Sequence, residues 1–341
     1  MTRMQDRLRH DKARRASPRW GLLVMVLVAV GLLSLFVGRY PEPYWIPPSL
    51  LGEEELARRL VFGLRLPRLL AALLTGMSLA GAGTVLQTVF RNPLVEPGFL
   101  GISQGAGFGA ALAILVLRPG PLGIELAATA FALLGLGLSY VLAQRLRYGG
   151  WVLRLLLAGI AVSALFSAGV GLLKYFADPL TELPEITFWM LGGLWNVTWR
   201  EALFMLPAVA VGLVVMLAGR WRLNLLVLSD ETAFSLGSRI RLERGVMLFG
   251  AVLATATVTA IGGVVGWVGM ITPHLARRMV GADVQYTLPA AMLIGGLFVM
   301  LCDDLARAML PGEIPLGILT SFFGALAFSG LMMLGRLEPR P

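Results

Sequence analysis

Residues 246–280 read VMLFGAVLATATVTAIGGVVGWVGMITPHLARRMV, thirty-five residues with no charge before Arg277. A bilayer's hydrocarbon core, about 30 Å thick, takes about 20 apolar residues of helix. The run is too long for one crossing. Gly262-Gly263 and Gly266 weaken a helix in its middle, and Pro273 interrupts the pattern further on. The stretch therefore reads as two short spans divided near Gly262-Gly263. That division sets the side of the membrane on which everything downstream lies.

Eight further apolar runs sit at about 20–38, 66–89, 99–117, 122–143, 151–173, 202–219, 287–302 and 315–335. With the divided run they predict an all-α, polytopic membrane protein of ten transmembrane helices. Composition requires lipid contact: of 341 residues 57% are hydrophobic and 14% charged, with mean hydropathy +0.77. A soluble domain is about one-quarter charged. No room is left for a large catalytic domain outside the membrane.

Charge tests the count. With the N-terminus inside and ten spans, inner segments hold 20 of the 29 Lys and Arg residues and outer segments hold nine, as the positive-inside rule requires. Nine spans would place the basic C-terminal end outside. The net charge of +9 is therefore a matter of membrane boundaries, and nucleic acid is not the partner it implies. Residues 1–19, with Arg3, Arg7, Arg9, Lys12, Arg14, Arg15 and Arg19, form a cytoplasmic tail before a single transmembrane domain over 20–341. The run at 20–38 could be a signal peptide, but no small-x-small cleavage site follows it. A retained first span is the better reading.

Three connections exceed simple turns. Residues 39–64 lie outside, and residues 174–201 read as an outer loop carrying a short re-entrant or interfacial helix. Residues 220–245 form the long inner loop, where Leu223, Leu226, Phe234 and Leu236 alternate with polar residues. Such short amphipathic helices need a surface to dock on. Within it Ser229-Asp230-Glu231-Thr232-Ala233-Phe234-Ser235-Leu236-Gly237 has a capping serine, acids for a positive first turn and a glycine for the end. A cytosolic partner follows from the physics of that helix.

Catalytic chemistry finds little to work with. The two lysines, Lys12 and Lys174, stand in no phosphate-binding loop. With His10, His274 and Cys302 as the only His and Cys residues, no soft-ligand cluster arises, and a bare transition-metal site is not expected. His274 reads as structural, with a proton relay as the alternative. Asp303 and Asp304 are adjacent, so on a helix they point about 100° apart and form no acid–base pair by spacing. As carboxylates near a span they are expected to face protein or water. Other carboxylates within spans are scarce, which argues against a proton-coupled carrier.

Arg65-Leu66-Pro67-Arg68 opens the second span on the outside, with both arginines on one face of its first turn. They read either as snorkelling anchors or as a docking patch for an acidic external partner. Gly101, Gly105 and Gly109 recur every fourth residue, the small-residue stripe by which membrane helices approach closely. A transport pathway beside that stripe is the alternative.

Six motifs in register resemble the FecCD/BtuC-type permeases of bacterial ABC importers. They are Arg65-Leu66-Pro67-Arg68; Gln87 to Arg91-Asn92-Pro93-Leu94 with Pro97 and Leu100-Gly101; Leu236-Gly237; Pro273-His274-Leu275-Ala276-Arg277; Asp304 with Arg307; and Glu313-Ile314-Pro315-Leu316-Gly317-Ile318. The match runs in order from about residue 20 to 335. One departure is Ile271-Thr272-Pro273, where Val or Ile with Pro is usual. The resemblance implies a BtuC-like fold and a homodimer whose interface is the pathway. It implies two separate ATPase subunits, carrying ATP and Mg, and a periplasmic binding protein. No cofactor is implied in this chain. Arg65, Arg68 and Arg307 match the arginines that grip the binding protein, and the loop of 229–237 matches the helix that transmits ATP-driven closure. The implied cargo is a ferric siderophore, haem or cobalamin, with molybdate or tungstate as an alternative. An ion-coupled secondary transporter acting alone is the remaining rival, and it would not need the docking loop.

Overall fold

The computed structural model describes residues 20–39, 44–117, 120–228 and 230–333. The chain enters through α1 (Trp20–Ser34). A small antiparallel pair follows, β1 (Val37–Gly38) with β2 (Tyr44–Trp45). Next come α2 (Leu50–Glu53) and α3 (Glu55–Arg59), and α3 runs through a π-helical turn, Leu60–Arg65, into α4 (Leu66–Phe90). A 3₁₀ turn, Pro97–Leu100, leads to α5 (Ile102–Leu112), α6 (Pro121–Arg145) and α7 (Trp151–Phe176). The second half holds α8 (Glu182–Leu191), α9 (Trp199–Ala218), α10 (Leu223–Val227), α11 (Asp230–Ser235) and α12 (Ile240–Gly262). It closes with α13 (Val268–Val280), α14 (Val284–Ala308) and α15 (Leu316–Met333).

The fold is all-α and membrane-spanning in character. Seven helices among the described residues are long and apolar enough to cross a membrane: Glu55–Phe90, α6, α7, α9, α12, α14 and α15. The expected count of ten adds three shorter helices, Trp20–Ser34, Ile102–Leu117 and Val268–Val280. The run 246–280 divides where its glycines stand: α12 ends at Gly262, Gly263 takes φ +67, and α13 begins at Val268. The expected short helix of the outer loop is α8. The second span differs from expectation, because its helix begins at Glu55 rather than at Leu66. Pro67 lacks an N–H and would crowd the carbonyl four residues earlier, and the π-helical turn just upstream widens the helix there.

α4, α12 and α14 form the centre: 78%, 72% and 61% of their most apolar stretches are buried, against 28–33% for α6, α7, α9 and α15. The outer faces of those four helices are therefore largely exposed. Small residues let the central helices meet. A Cβ on Gly76 would stand 2.1 Å from the carbonyl oxygen of Gly295, and one on Gly83 would stand 1.9 Å from that of Gly269. Backbone thus touches backbone where α4 crosses α14 and α13. The stripe on α5 does the same against α6: Gly105 faces the Phe131 carbonyl and Gly109 that of Ala127, at 2.4 and 2.5 Å from an added Cβ. Gly101, at φ +81, precedes α5 and lies against Val162 and Ser139.

Candidate functional site

The functional candidates gather at the two ends of this core. At the inner end α4 stops at Arg91, a non-glycine residue in the left-handed region (φ 49). From there its guanidinium reaches the carbonyls of Leu226 and Leu228 and, at 3.3 Å, the carboxylate of Asp230. Asp230 opens α11 and accepts two further bonds from Arg244 of α12, at 2.6 and 3.1 Å. The bond to Arg244 is the main reason the Asp230 carboxyl is held below its ordinary range. α10 adds a third tie: Asn224 donates to Asp283 at 2.7 Å and accepts from the Val284 N–H at 3.0 Å, at the start of α14. The inner loop is therefore tied to the three central helices.

Ser229, the expected cap, lies outside the described residues. The rest of the segment forms a short helix. Asp230 and Glu231 sit in its first turn, and Gly237 (φ +80) ends it in a Schellman arrangement, with Gly237 N–H on Phe234 and Ser238 N–H on Ala233. Ala233 is buried, while Phe234 is 75% exposed and Leu236 59% exposed. Ser235 bonds back to Glu231, and Thr232 lies on the exposed side. Two large apolar side chains thus project from a helix braced from behind.

Beside this lies a second inner junction, between the turn after α4 and the half-length α13. Pro273 has no N–H to give the carbonyl of Gly269, and the side-chain amide of Gln87 approaches that oxygen at 3.3 Å and the Met270 carbonyl at 3.1 Å. Arg277 then donates to the Gln87 oxygen at 2.6 Å. His274 is buried, with Nε2 donating to the Pro93 carbonyl at 3.1 Å. Glu96 accepts from the N–H of Trp267, a residue at φ 71, and burial pushes its carboxyl upward. Motif residues separated by nearly two hundred positions close into one joint.

At the outer end Arg65 and Arg68 are buried and the Arg307 side chain is nearly so, each already bonded within the chain. Arg68 is bonded by Nε and Nη2 to Asp303, at 2.9–3.0 Å, and by Nη1 to Glu313 at 2.8 Å. Arg307 is bound by Asp304 and by the Ser34 carbonyl, and lies 4.0 Å from Asp303. Arg65 donates to the Leu35 carbonyl at 3.1 Å and lies against Gly38. Spacing along α4 could not reveal carboxylates 235 and 245 residues downstream. Asp303 and Asp304 were the available signal, since buried carboxylates require a cation. Among the described residues no group of His, Cys, Asp and Glu is arranged to hold a metal ion.

The profile of the FecCD transport family matches residues 26–334. The chain belongs to that family. It is 38% identical over 335 residues to the hemin transport system permease protein HmuU of Yersinia pestis, covering 94% of this chain and 97% of that one. It is 36% identical over 330 residues to the vitamin B12 import system permease protein BtuC of Vibrio cholerae, covering 96% and 97%. The molybdate import system permease protein MolB of Haemophilus influenzae is 36% identical over 317 residues, covering 91% and 94%. Among solved structures, a metal-chelate type ABC transporter in an inward-facing conformation superposes with a TM-score of 0.83 at 37% identity, covering 91% of this chain and 97% of that one. This FecCD member is accordingly a transport permease of the ABC importer type, an integral membrane subunit.

Proposed function

We propose that this FecCD permease is the membrane-spanning subunit of an ATP-driven importer, in which two copies form the pathway for a metal chelate: a ferric siderophore, haem or cobalamin. A periplasmic binding protein delivers the cargo. ATP and Mg are bound and hydrolysed on two separate ATPase subunits, so this chain is not an enzyme and supplies neither catalytic group nor cofactor. It crosses the bacterial cytoplasmic membrane ten times, with both termini in the cytoplasm.

The observation that carries this reading is the braced inner helix α11. Phe234 and Leu236 are large apolar groups held outward, at a face that belongs to the cytoplasmic side in this proposal. An ATPase surface closing on them pushes a helix that Arg91 and Arg244 fasten to α4 and α12. The push therefore reaches the core as a rigid displacement, and the subunit interface changes the side to which it opens. At the outer end, docking draws on Arg65, Arg68 and Arg307, with Arg68 and Arg307 exchanging their carboxylates. Glu313, whose side chain is 38% exposed, is the partner that can yield Arg68 to an acidic group of the binding protein.

The relatives named for haem and vitamin B12 transport support the cargo class. Similarity to a molybdate permease supports a second reading, a molybdate or tungstate importer. The test is association. Phe234→Asp should abolish co-purification of the ATPase subunit while the variant's unfolding temperature stays within about 2 °C, since exposed substitutions change stability little. Undiminished co-purification would remove α11 from the coupling role.

A further inference from the structure

Between the inner ends of α9 and α12 lies an open groove of about 580 Å³, lined in part by Leu226 and Gly237 of the inner loop. Its walls are apolar, with Val215 from α9 and Val246 and Met247 from α12. Arg222 and Arg239 stand among its lining residues. Along the helices, exposed apolar surface continues from it: Val214 is 62% and Phe249 60% exposed. Trp221 stands exposed beside the groove with the Arg222 guanidinium 5.2 Å from its ring centroid. An amphipathic aromatic of this kind marks a membrane–water boundary.

Charge narrows the occupant. Glu243, the carboxylate of the groove, is already bonded to Arg222 at 2.7 Å and to Ser238 at 2.8 Å. Arg239 of the lining has no carboxylate partner among the described residues. An uncompensated arginine on an apolar trough calls for a ligand with an anionic head and hydrocarbon tails. A zwitterionic lipid brings no net charge to it, and a free anion leaves the trough empty.

We propose that this groove binds an anionic phospholipid of the inner leaflet, its phosphate at Arg239 and an acyl chain along Val246 and Phe249. Basic pockets between membrane helices on the cytoplasmic side have this preference. The inference rests on the proposed orientation, with the 220–245 loop inside, and on nothing about ATP or cargo.

Native mass spectrometry of the full-length chain assembled with its ATPase subunits tests it, with dioleoyl phosphatidylglycerol and dioleoyl phosphatidylcholine added in turn. The expected result is retention of phosphatidylglycerol about tenfold better than of phosphatidylcholine. Arg239→Glu should remove that preference and Val246→Trp, which fills the trough, should lower retention of both, while Arg58→Glu at the outer face changes neither. Equal retention of the two lipids, or retention indifferent to both groove variants, overturns the proposal. So does displacement by millimolar inorganic phosphate, or phosphatidylglycerol held only when the ATPase subunits are absent, which would give the groove to a protein partner. Orientation is read separately, by labelling a Trp221→Cys variant with an impermeant thiol reagent. Labelling from the cytoplasmic side alone supports the orientation, and labelling from outside overturns it and the site together.

Discussion

Gln87 fills the hydrogen-bonding gap that Pro273 leaves in α13, approaching with its side-chain amide the Gly269 carbonyl to which Pro273 has no N–H to offer. Arg277 holds the other end of that amide at 2.6 Å. Removing the amide leaves buried carbonyl and guanidinium groups without partners, which costs about 1–3 kcal/mol. Gln87→Leu, close in size but unable to bond, should lower the unfolding temperature in detergent. The loss should shrink in Gln87→Leu with Pro273→Ala, which restores the N–H. Equal losses in both variants would detach Gln87 from this role.

In the outer cluster a single change should cost far more than a paired one. Arg68 and Asp303 have side chains 9% and 3% exposed. Breaking a buried pair on one side costs about 3–5 kcal/mol, whereas replacing both partners with apolar residues is far milder. Arg68→Met alone should yield little folded protein. Arg68→Met with Asp303→Leu should recover most of it, measured as the monodisperse fraction after solubilisation.

Glu313 is the test of carboxylate exchange. Glu313→Gln removes the competing charge from Arg68 while keeping the side chain's shape, so binding-protein affinity should rise about three- to tenfold, on the order of 1 kcal/mol. Surface plasmon resonance against the cognate binding protein reads this directly, and unchanged or weaker affinity would contradict the exchange.

How far the chain could be read before its structure depended on distance. Apolar runs, the break at Gly262-Gly263 and the short helix before Gly237 are local properties, and local signals carried them. The carboxylates that bind Arg68 were illegible because burial brings together groups 235 and 245 residues apart, and helix spacing says nothing of that. Gln87 and Pro273 were both visible as motif residues, yet the bond that couples them needs the crossing of α4 over α13. Asn224 carried no signal at all: a lone amide in a polar loop announces no partner.

The inner ion pair responds to pH with a definite sign. Asp230 has a depressed carboxyl, so its contribution is present above the ordinary carboxylate range, about pH 4, and is lost as pH falls through the lowered value. Coupling of ATPase activity to transport should therefore show no Asp230-dependent change between about pH 6 and 8. Asp230→Asn should uncouple at every pH in that window. Its side chain is 59% exposed, so the substitution should cost under about 1 kcal/mol of stability, and the defect belongs to coupling.

The stripe on α5 separates packing from pathway. Gly105→Val drives a side chain into the Phe131 carbonyl, while Gly137 has open space around it. Gly105→Val should lower folded yield severalfold and Gly137→Ala should leave it unchanged. Normal yield with altered cargo selectivity in Gly105→Val would move the stripe to the pathway.

The central claim is that this FecCD permease moves its cargo only when a separate ATPase hydrolyses ATP. Reconstitution in vesicles with its ATPase and binding protein, followed by chelate accumulation, measures it. The account predicts ATP-dependent uptake that disappears when the ATPase is catalytically dead. Uptake that persists with the dead ATPase, driven by an ion gradient, would contradict it.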